Sequence, residues 1–269
     1  MQNFEAGVLD EIIARRRLRL EQEQACMPEA ELRRAAEARA DFRDFSAALR
    51  APGLQVIAEL KKASPSHGLL KKEFRCGPIA QSYEQAGAAA LSVLTEEDYF
   101  QGRLQDLQTA RRVTALPVLR KDIILTPFQV YESVAAGADA LLLIVAALSR
   151  QELRELLALV ESLRISALVE VHSETEARRA VDVGARMIGV NNRDLRTLSV
   201  DLGTSFRVRP LIPARCLAVS ESGIKTTLDL ERLAGSGFDA VLIGEHLMTA
   251  EDPGVELARL LGVRTPTAR

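Results

Sequence analysis

Two lysines and two glutamates sit where short apolar runs of this sequence end. Ile57-Ala58-Glu59-Leu60-Lys61 closes one run, Leu119-Arg120-Lys121-Asp122 a second, and Leu168-Val169-Glu170-Val171-His172 a third. In extended chain, alternate residues share a face. Glu59 and Lys61 therefore go with Ile57, and by the same argument Lys121 and Glu170 face inward if the runs are barrel strands. Carboxylates and ammonium groups gathered in one partly desolvated place shift one another's pKa values and so divide acid from base work. The bland alternative is two ion pairs, Glu59 with Lys61 and Glu170 with Lys121, that only neutralise buried charge. Four charged residues, all at run ends, favour chemistry. Asn191, on the face of Gly189, and the segment Ser220-Glu221-Ser222-Gly223 bring further polar groups to the ends of two more runs.

A second pattern points to an anion. Gly223 and Gly244 each follow an apolar run near the end of the chain. In a (β/α)8 barrel, the loops after the last two strands and a short helix N-terminus commonly bind phosphate. Glycine lets backbone N–H groups approach such an anion closely. Ser64, after the first run, offers a hydroxyl donor. A single turn glycine would mean little; the paired positions carry the phosphate reading.

These residues need a frame. Apolar runs recur at Leu54–Leu60, Ala89–Leu94, Pro117–Arg120, Ala140–Ile144, Ala167–Val171, Arg186–Val190, Cys216–Ser220 and Ala240–Ile243, most separated by helical patterns. Gly87-Ala88, Gly137-Ala138, Gly184-Ala185 and Gly237-Phe238 recur between a helix and the next run, where a left-handed C′ residue is needed. Strand–helix alternation implies a parallel sheet covered on both faces. About eight units with no Gly-x-Gly-x-x-Gly after the first run favour a closed barrel over a doubly wound sheet. The expected fold is therefore α/β, a (β/α)8 TIM barrel with an N-terminal helical extension. It forms a single domain over 1–269, with the extension at 1–50 and the barrel at 51–269. Two helices are expected between Gly7 and Arg39, the second opened by Pro28, and a short one around Phe42–Leu49.

Composition excludes several classes. Net charge is -2, aromatics make up 4% and Trp is absent, so neither a basic nucleic-acid surface nor stacking platforms are expected. The run Ala140–Leu148 is far shorter than the ~20 residues of a membrane helix. Residues Met1 to Glu11 lack a signal-peptide apolar core. Cys26, Cys76 and Cys216 form no Cys-x-x-Cys pair and read as reduced, buried cysteines of a cytoplasmic protein. Arg15-Arg16-Arg17 reads as a solvated helix face. His67, His172 and His246 lack ligand spacing, so no metal is expected; His172 reads as a loop or supporting histidine.

The motifs as a set resemble indole-3-glycerol-phosphate synthases. They are Ile57 to Ser66, Thr95-Glu96-Glu97-Asp98-Tyr99-Phe100-Gln101-Gly102, Leu119 to Asp122, Val169 to His172, Ile188 to Leu195, Ser220 to Ile224 and Leu242 to Glu245. The resemblance covers about Val56 to Met248 and includes the helical extension. It implies a cofactor-free enzyme of tryptophan biosynthesis, a carboxy-lyase. The implied substrate is 1-(2-carboxyphenylamino)-1-deoxyribulose 5-phosphate, which closes its pyrrole ring and loses carbon dioxide and water. Lys121 is then the acid at the ketone, and Lys61 lies by the anthranilate carboxylate. How the two lysines share the acid work of dehydration stays open. Glu170 is the base at the ring nitrogen. Glu59 holds a lysine and polarises a hydroxyl. Asn191 and Ser222 orient sugar hydroxyls, and Glu221 supports the lysines. Phe100 packs on the anthranilate ring and Arg193 assists its carboxylate. Ser64 and the backbone at Gly223, Gly244 and Glu245 hold the phosphate, with the Glu245 side chain expected to turn away from the dianion.

His67, Ile123 and Thr126 depart from residues common in that family, and none removes a proposed catalytic group. A phosphoribosylanthranilate isomerase would start its barrel near residue 1 and place a Cys and an Asp where Lys61 and Asn191 stand. A non-catalytic phosphate-ligand sensor or scaffold on the same barrel is the alternative from another class; retention of every acid and base argues against it. The expected partner is a small phosphorylated molecule, with no nucleic acid and no membrane. A monomer is the expected state and a weak homodimer its alternative.

Overall fold

In the computed structural model, which describes residues 7–194 and 197–263, eight parallel strands close into a barrel. They are β1 (Gln55–Leu60), β2 (Ala90–Leu94), β3 (Val118–Lys121), β4 (Ala140–Ile144), β5 (Ser166–Val171), β6 (Met187–Asn191), β7 (Leu217–Glu221) and β8 (Ala240–Ile243). β1 pairs with β2 on one side and β8 on the other, which closes the sheet. Leu195 and the ends of the 1–269 span lie outside the described residues. No helix among the described residues is long and apolar enough to cross a membrane.

The strands fall within a residue or two of the apolar runs, with one shift that matters. β3, β6 and β7 each run on to include Lys121, Asn191 and Glu221. These side chains therefore stand on hydrogen-bonded strand rather than on loop. The recurring glycines end their helices in the left-handed region, with φ of 95° at Gly87, 102° at Gly137, 92° at Gly184 and 82° at Gly237. In each case the next residue's N–H reaches back to the last turn, as Ala138 does to Ser133 O at 2.9 Å.

The N-terminal extension touches both ends of the barrel. Helix α1 (Val8–Cys26) borders the C-terminal mouth, where Val8, Leu9 and Ile12 line the cavity. Helix α2 (Glu29–Ala38) lies along α6 (Pro127–Ala135). Pro28 occupies the position just before α2 rather than its first turn. Helix α3 (Phe45–Leu49) buries Phe45 and Leu49 near the N-terminal ends of the strands, where Ser46 meets Ser166 at 2.9 Å.

Asp139 anchors that lower end. It lies just before β4 with its side chain fully buried. Its Oδ1 accepts from Arg39 Nη2 at 2.7 Å and from the Arg43 N–H at 3.1 Å. Its Oδ2 accepts from Arg111 Nη1 at 2.6 Å and from the Val118 N–H at 3.0 Å. One carboxylate thus joins the extension, helix α5 (Leu104–Val113) and strand β3.

Two sequence expectations are corrected here. Arg16 is not on a solvated face: it is 6% exposed, bonded to Glu23 at 2.7 Å and 3.8 Å from Asp122. Arg16 lies over a small cleft beside the mouth, where Glu23 and Asp122 match its charge. Cys26 is exposed, at the end of α1 beyond the barrel surface; Cys76 and Cys216 are buried as expected.

Asp139→Ala removes the buried carboxylate that Arg39 and Arg111 share and leaves them only the exposed Asp41. We expect it to cost about 3 kcal/mol or more of unfolding free energy, the usual scale for breaking a buried ion pair. Urea unfolding measures this, and a loss below about 1 kcal/mol would show that the anchor is dispensable.

Candidate active site

A cavity of about 470 Å³ opens at the C-terminal ends of the strands, of a size that suits a small organic ligand. Glu59 and Lys61 from β1 and its exit, Lys121 from β3, Glu170 from β5, Asn191 from β6 and Glu221 from β7 all reach it. Ser64, Phe100, Arg193, Ser222, Gly223, Gly244 and Glu245 line it as well. The structure thus brings every sequence-predicted site residue to one cavity. Inward alternation places those on the strands, and the segments that leave the strands' C-terminal ends bring the rest.

Lys121 is the centre of the charged cluster. Its ammonium lies 2.7 Å from Glu221 Oε2 and 3.1 Å from Glu170 Oε2. Glu59 and Lys61 pair at 2.8 Å. Both pairs foreseen in the sequence therefore exist; the Lys121–Glu221 contact, the shorter one at Lys121, joins residues 100 positions apart.

Burial alone would strip the charge from these groups, and pairing decides what survives. Burial acts to lower the Lys121 pKa, but Glu170 and Glu221 more than offset it and hold the ammonium above its ordinary range. Burial acts to raise Glu170, but Lys121 and His172 reverse this and keep its carboxyl well below the usual range. Glu221 goes the other way: burial, opposed by Lys121 but reinforced by Glu170, pushes it up to about 7. Two carboxyls sharing one ammonium titrate as a unit, and the environment splits them into a standing anion and a group that takes up a proton near neutrality.

Glycines make room for two of the carboxylates. A Cβ on Gly189 would land on Glu221 Oε1, and one on Gly244 would land on Glu59 Oε1. Glu59 Oε2 and Glu221 Oε1 are buried and have no hydrogen-bond partner among the described residues. Each can accept from a ligand hydroxyl.

The side of the cavity beyond β6 and β7 is polar and tightly turned. Ser222 takes a positive φ of 66°, uncommon for a residue with a side chain, and Gly223 follows at 83°. Ser222 Oγ donates to Asn191 Oδ1 at 2.8 Å, and the same oxygen accepts from the Arg193 N–H at 3.0 Å. Phe100 is held by its loop: Glu96 accepts from the N–H groups of Asp98, Tyr99 and Phe100 at 2.8–3.1 Å. The loop is tied to α1 by Arg19, which bonds Asp98 at 2.7 Å and also reaches Glu97, and by Tyr99, whose hydroxyl donates to Glu11 at 2.8 Å.

Glu245 differs from expectation. Its carboxylate does not turn away from the mouth: Oε2 accepts from Arg193 Nη2 at 2.9 Å and lies 3.1 Å from His67 Nδ1 and 3.5 Å from Ser66 Oγ. The Arg193 guanidinium on the rim draws it there. Arg193 is correspondingly engaged with Glu245. His172 stands behind Glu170, in the supporting place that the sequence suggests. Its ring is 3.2 Å from Glu170, and the signal was the alternation that already placed Glu170 inward, carried two residues on. Among the described residues, no group of three or more His, Cys, Asp or Glu is arranged to hold a metal ion.

Comparison with known proteins agrees with this geometry. A family profile described as indole-3-glycerol phosphate synthase matches residues 9–260. An indole-3-glycerol phosphate synthase of Mycolicibacterium gilvum is 47% identical over 260 residues, 97% of this chain and 96% of that one. One of a Parafrankia species is 51% identical over 239 residues, 89% of each chain. Among solved structures, an N-acetylmannosamine-6-phosphate 2-epimerase from Clostridium perfringens superposes with a TM-score of 0.60 at 15% identity, covering 77% of this chain and 93% of that one. A thiamine phosphate pyrophosphorylase from Pyrococcus furiosus does so with a TM-score of 0.58 at 17% identity, covering 78% and 94%. Those two likenesses speak for the barrel alone. Both the profile and the Mycolicibacterium relative span the helical extension as well as the barrel, so the chain belongs to the indole-3-glycerol phosphate synthase family, carboxy-lyases of tryptophan biosynthesis.

Proposed function

We propose that this chain converts 1-(2-carboxyphenylamino)-1-deoxyribulose 5-phosphate to indole-3-glycerol phosphate by lysine–glutamate acid–base catalysis. Ring closure is followed by loss of one carbon dioxide and one water. The observation that supports this most is the Lys121 ammonium, bonded to Glu170 and Glu221 at the floor of an otherwise partly apolar cavity.

The steps follow from the charges. When the aromatic carbon bearing the carboxylate attacks the ketone, negative charge develops on the ketone oxygen. Lys121 gives that oxygen a proton. Glu221, 2.7 Å from the ammonium and titrating at about 7, returns one to it. Loss of carbon dioxide restores the aromatic ring. As the new hydroxyl leaves as water with a proton from a lysine, Glu170, a standing anion, takes the proton from the ring nitrogen, and shift of one proton from the adjacent CH2 to that nitrogen completes the indole. Lys61, held by Glu59 at 2.8 Å, serves the anthranilate carboxylate; a share in the dehydration fits the same position. Asn191 and Ser222 form one hydrogen-bonded unit that orients sugar hydroxyls. Phe100 and the α1 residues Val8, Leu9 and Ile12 offer the apolar wall for the aromatic ring. Ser64 and the chain at Gly223 and Gly244 receive the phosphate, and Glu245 yields its place beside Arg193 as the dianion arrives.

A fluorescence assay for indole-3-glycerol phosphate, run without added cofactor, tests the reaction. No product from folded protein that still binds the substrate would favour a non-catalytic ligand-binding role. Lys121→Ala and Glu170→Gln should each lower kcat by about 100-fold or more, the usual scale for losing a general acid or base. Near-normal turnover in either folded variant would remove that residue from the scheme. Gly189→Ala should push Glu221 off Lys121 and lower kcat by about 10-fold or more, since small misplacements at a reacting centre are costly. Unchanged kcat would mean that Glu221 has room to spare.

A further inference from the structure

The two oxygens of Glu170 are held by different partners. Oε2 faces Lys121 at 3.1 Å, and Oε1 lies 3.2 Å from His172 Nε2, an ion-pair contact that is not aligned as a linear hydrogen bond. The other ring nitrogen, Nδ1, lies 3.2 Å from Glu176 Oε2. The same Glu176 oxygen accepts the His172 backbone N–H at 2.8 Å. Glu176 is itself fixed by the start of helix α8 (Glu174–Asp182): its N–H donates to Oγ of the cap residue Ser173 at 3.2 Å. A glutamate three residues after a cap usually reaches back to the cap's own N–H. Here it reaches one residue further, to His172, and so carries the rigidity of the helix into the imidazole.

We propose that His172, locked by Glu176, is a positioning residue that sets the orientation and the negative charge of Glu170. This rests on Glu170 being the base. His172 does not border the cavity, whereas Glu170 does, so the imidazole acts through the carboxylate and not on the substrate. A glutamate side chain has three rotatable bonds, and two cations at fixed points on opposite oxygens leave it one useful pose. The charged groups that face the Glu170–His172 pair are Glu176 from α8, Lys121 from β3 and Glu221 from β7, with Glu59 from β1 acting through Lys121. Burial acts to lower the His172 pKa, but Glu170 and Glu176 on either side of the ring push it up to about 10. The imidazolium is then present throughout the neutral range and keeps Glu170 ionised.

The chain has three histidines, so its long-range nitrogen–proton NMR spectrum is readable, and the signal missing from His172→Gln assigns the ring. We expect His172 to titrate near 10 in the wild type. In Glu170→Gln and in Glu176→Gln it should titrate lower by about one pH unit or more, the scale of losing a neighbouring opposite charge. His172→Ala should lower kcat by about 10-fold or more with KM changed by less than about 3-fold, and His172→Gln, which keeps a donor at the reach of Nε2, should recover part of that loss. Titration of wild-type His172 near 6.5, or a kcat in His172→Ala equal to that of the wild type, overturns the proposal. If His172→Ala does not fold, kcat and titration in Glu176→Gln decide in its place, and wild-type behaviour there overturns it. Full turnover in Glu170→Gln sinks the base assignment and this inference with it. An inactive Glu170→Gln beside a fully active His172→Ala sinks this inference alone.

Discussion

Lys121 keeps a full positive charge among buried carboxylates because it touches two of them at once. Remove either partner and burial would work against the ammonium; remove the lysine and two carboxylates would face each other across the cavity floor. Every larger feature of the molecule serves that contact. Closure of the sheet brings β3, β5 and β7 around a common axis. Termination of β3 at Lys121 and β7 at Glu221 fixes both side chains on hydrogen-bonded backbone. Gly189, on the strand between β5 and β7, supplies the space into which Glu221 Oε1 fits.

The same physics explains what the sequence could disclose. The eight strands were legible because a parallel strand buried on both sides is a short apolar run, and the helix-ending glycines recur because a chain with a side chain resists their φ. Inward alternation then placed Glu59, Lys61, Lys121 and Glu170 together with no further information. What stayed hidden were the partners. Glu221 meets Lys121 across 100 residues, Arg16 of α1 meets Asp122 after β3, and Glu245 meets Arg193 and His67 from distant parts of the chain. No local pattern encodes which of several nearby charges a side chain will choose. Cys26 shows the converse: its residue type suggests burial, but only the position of the end of α1 relative to the barrel determines it.

Stability and chemistry occupy opposite ends of the barrel. At the lower end Asp139 spends all its acceptor capacity on Arg39, Arg43, Arg111 and Val118, and no oxygen is left for a ligand. At the upper end Glu59 and Glu221 each keep one buried oxygen without a protein partner. The first arrangement holds the structure; the second withholds bonds that a substrate can complete.

The extension joins those two ends in one stretch of chain. Arg39 and Arg43 fasten it below, while α1, tied through Arg19 and Tyr99 to the loop that carries Phe100, borders the cavity above. Val8, Leu9 and Ile12 help determine how much water reaches Lys121 and the carboxylates, and with it how strongly those charges feel one another. The strength of the charge interactions in the cavity is thus partly written in a segment that contributes none of those charges. Drift in α1 can retune the charged cluster of this barrel while every residue of that cluster stays the same.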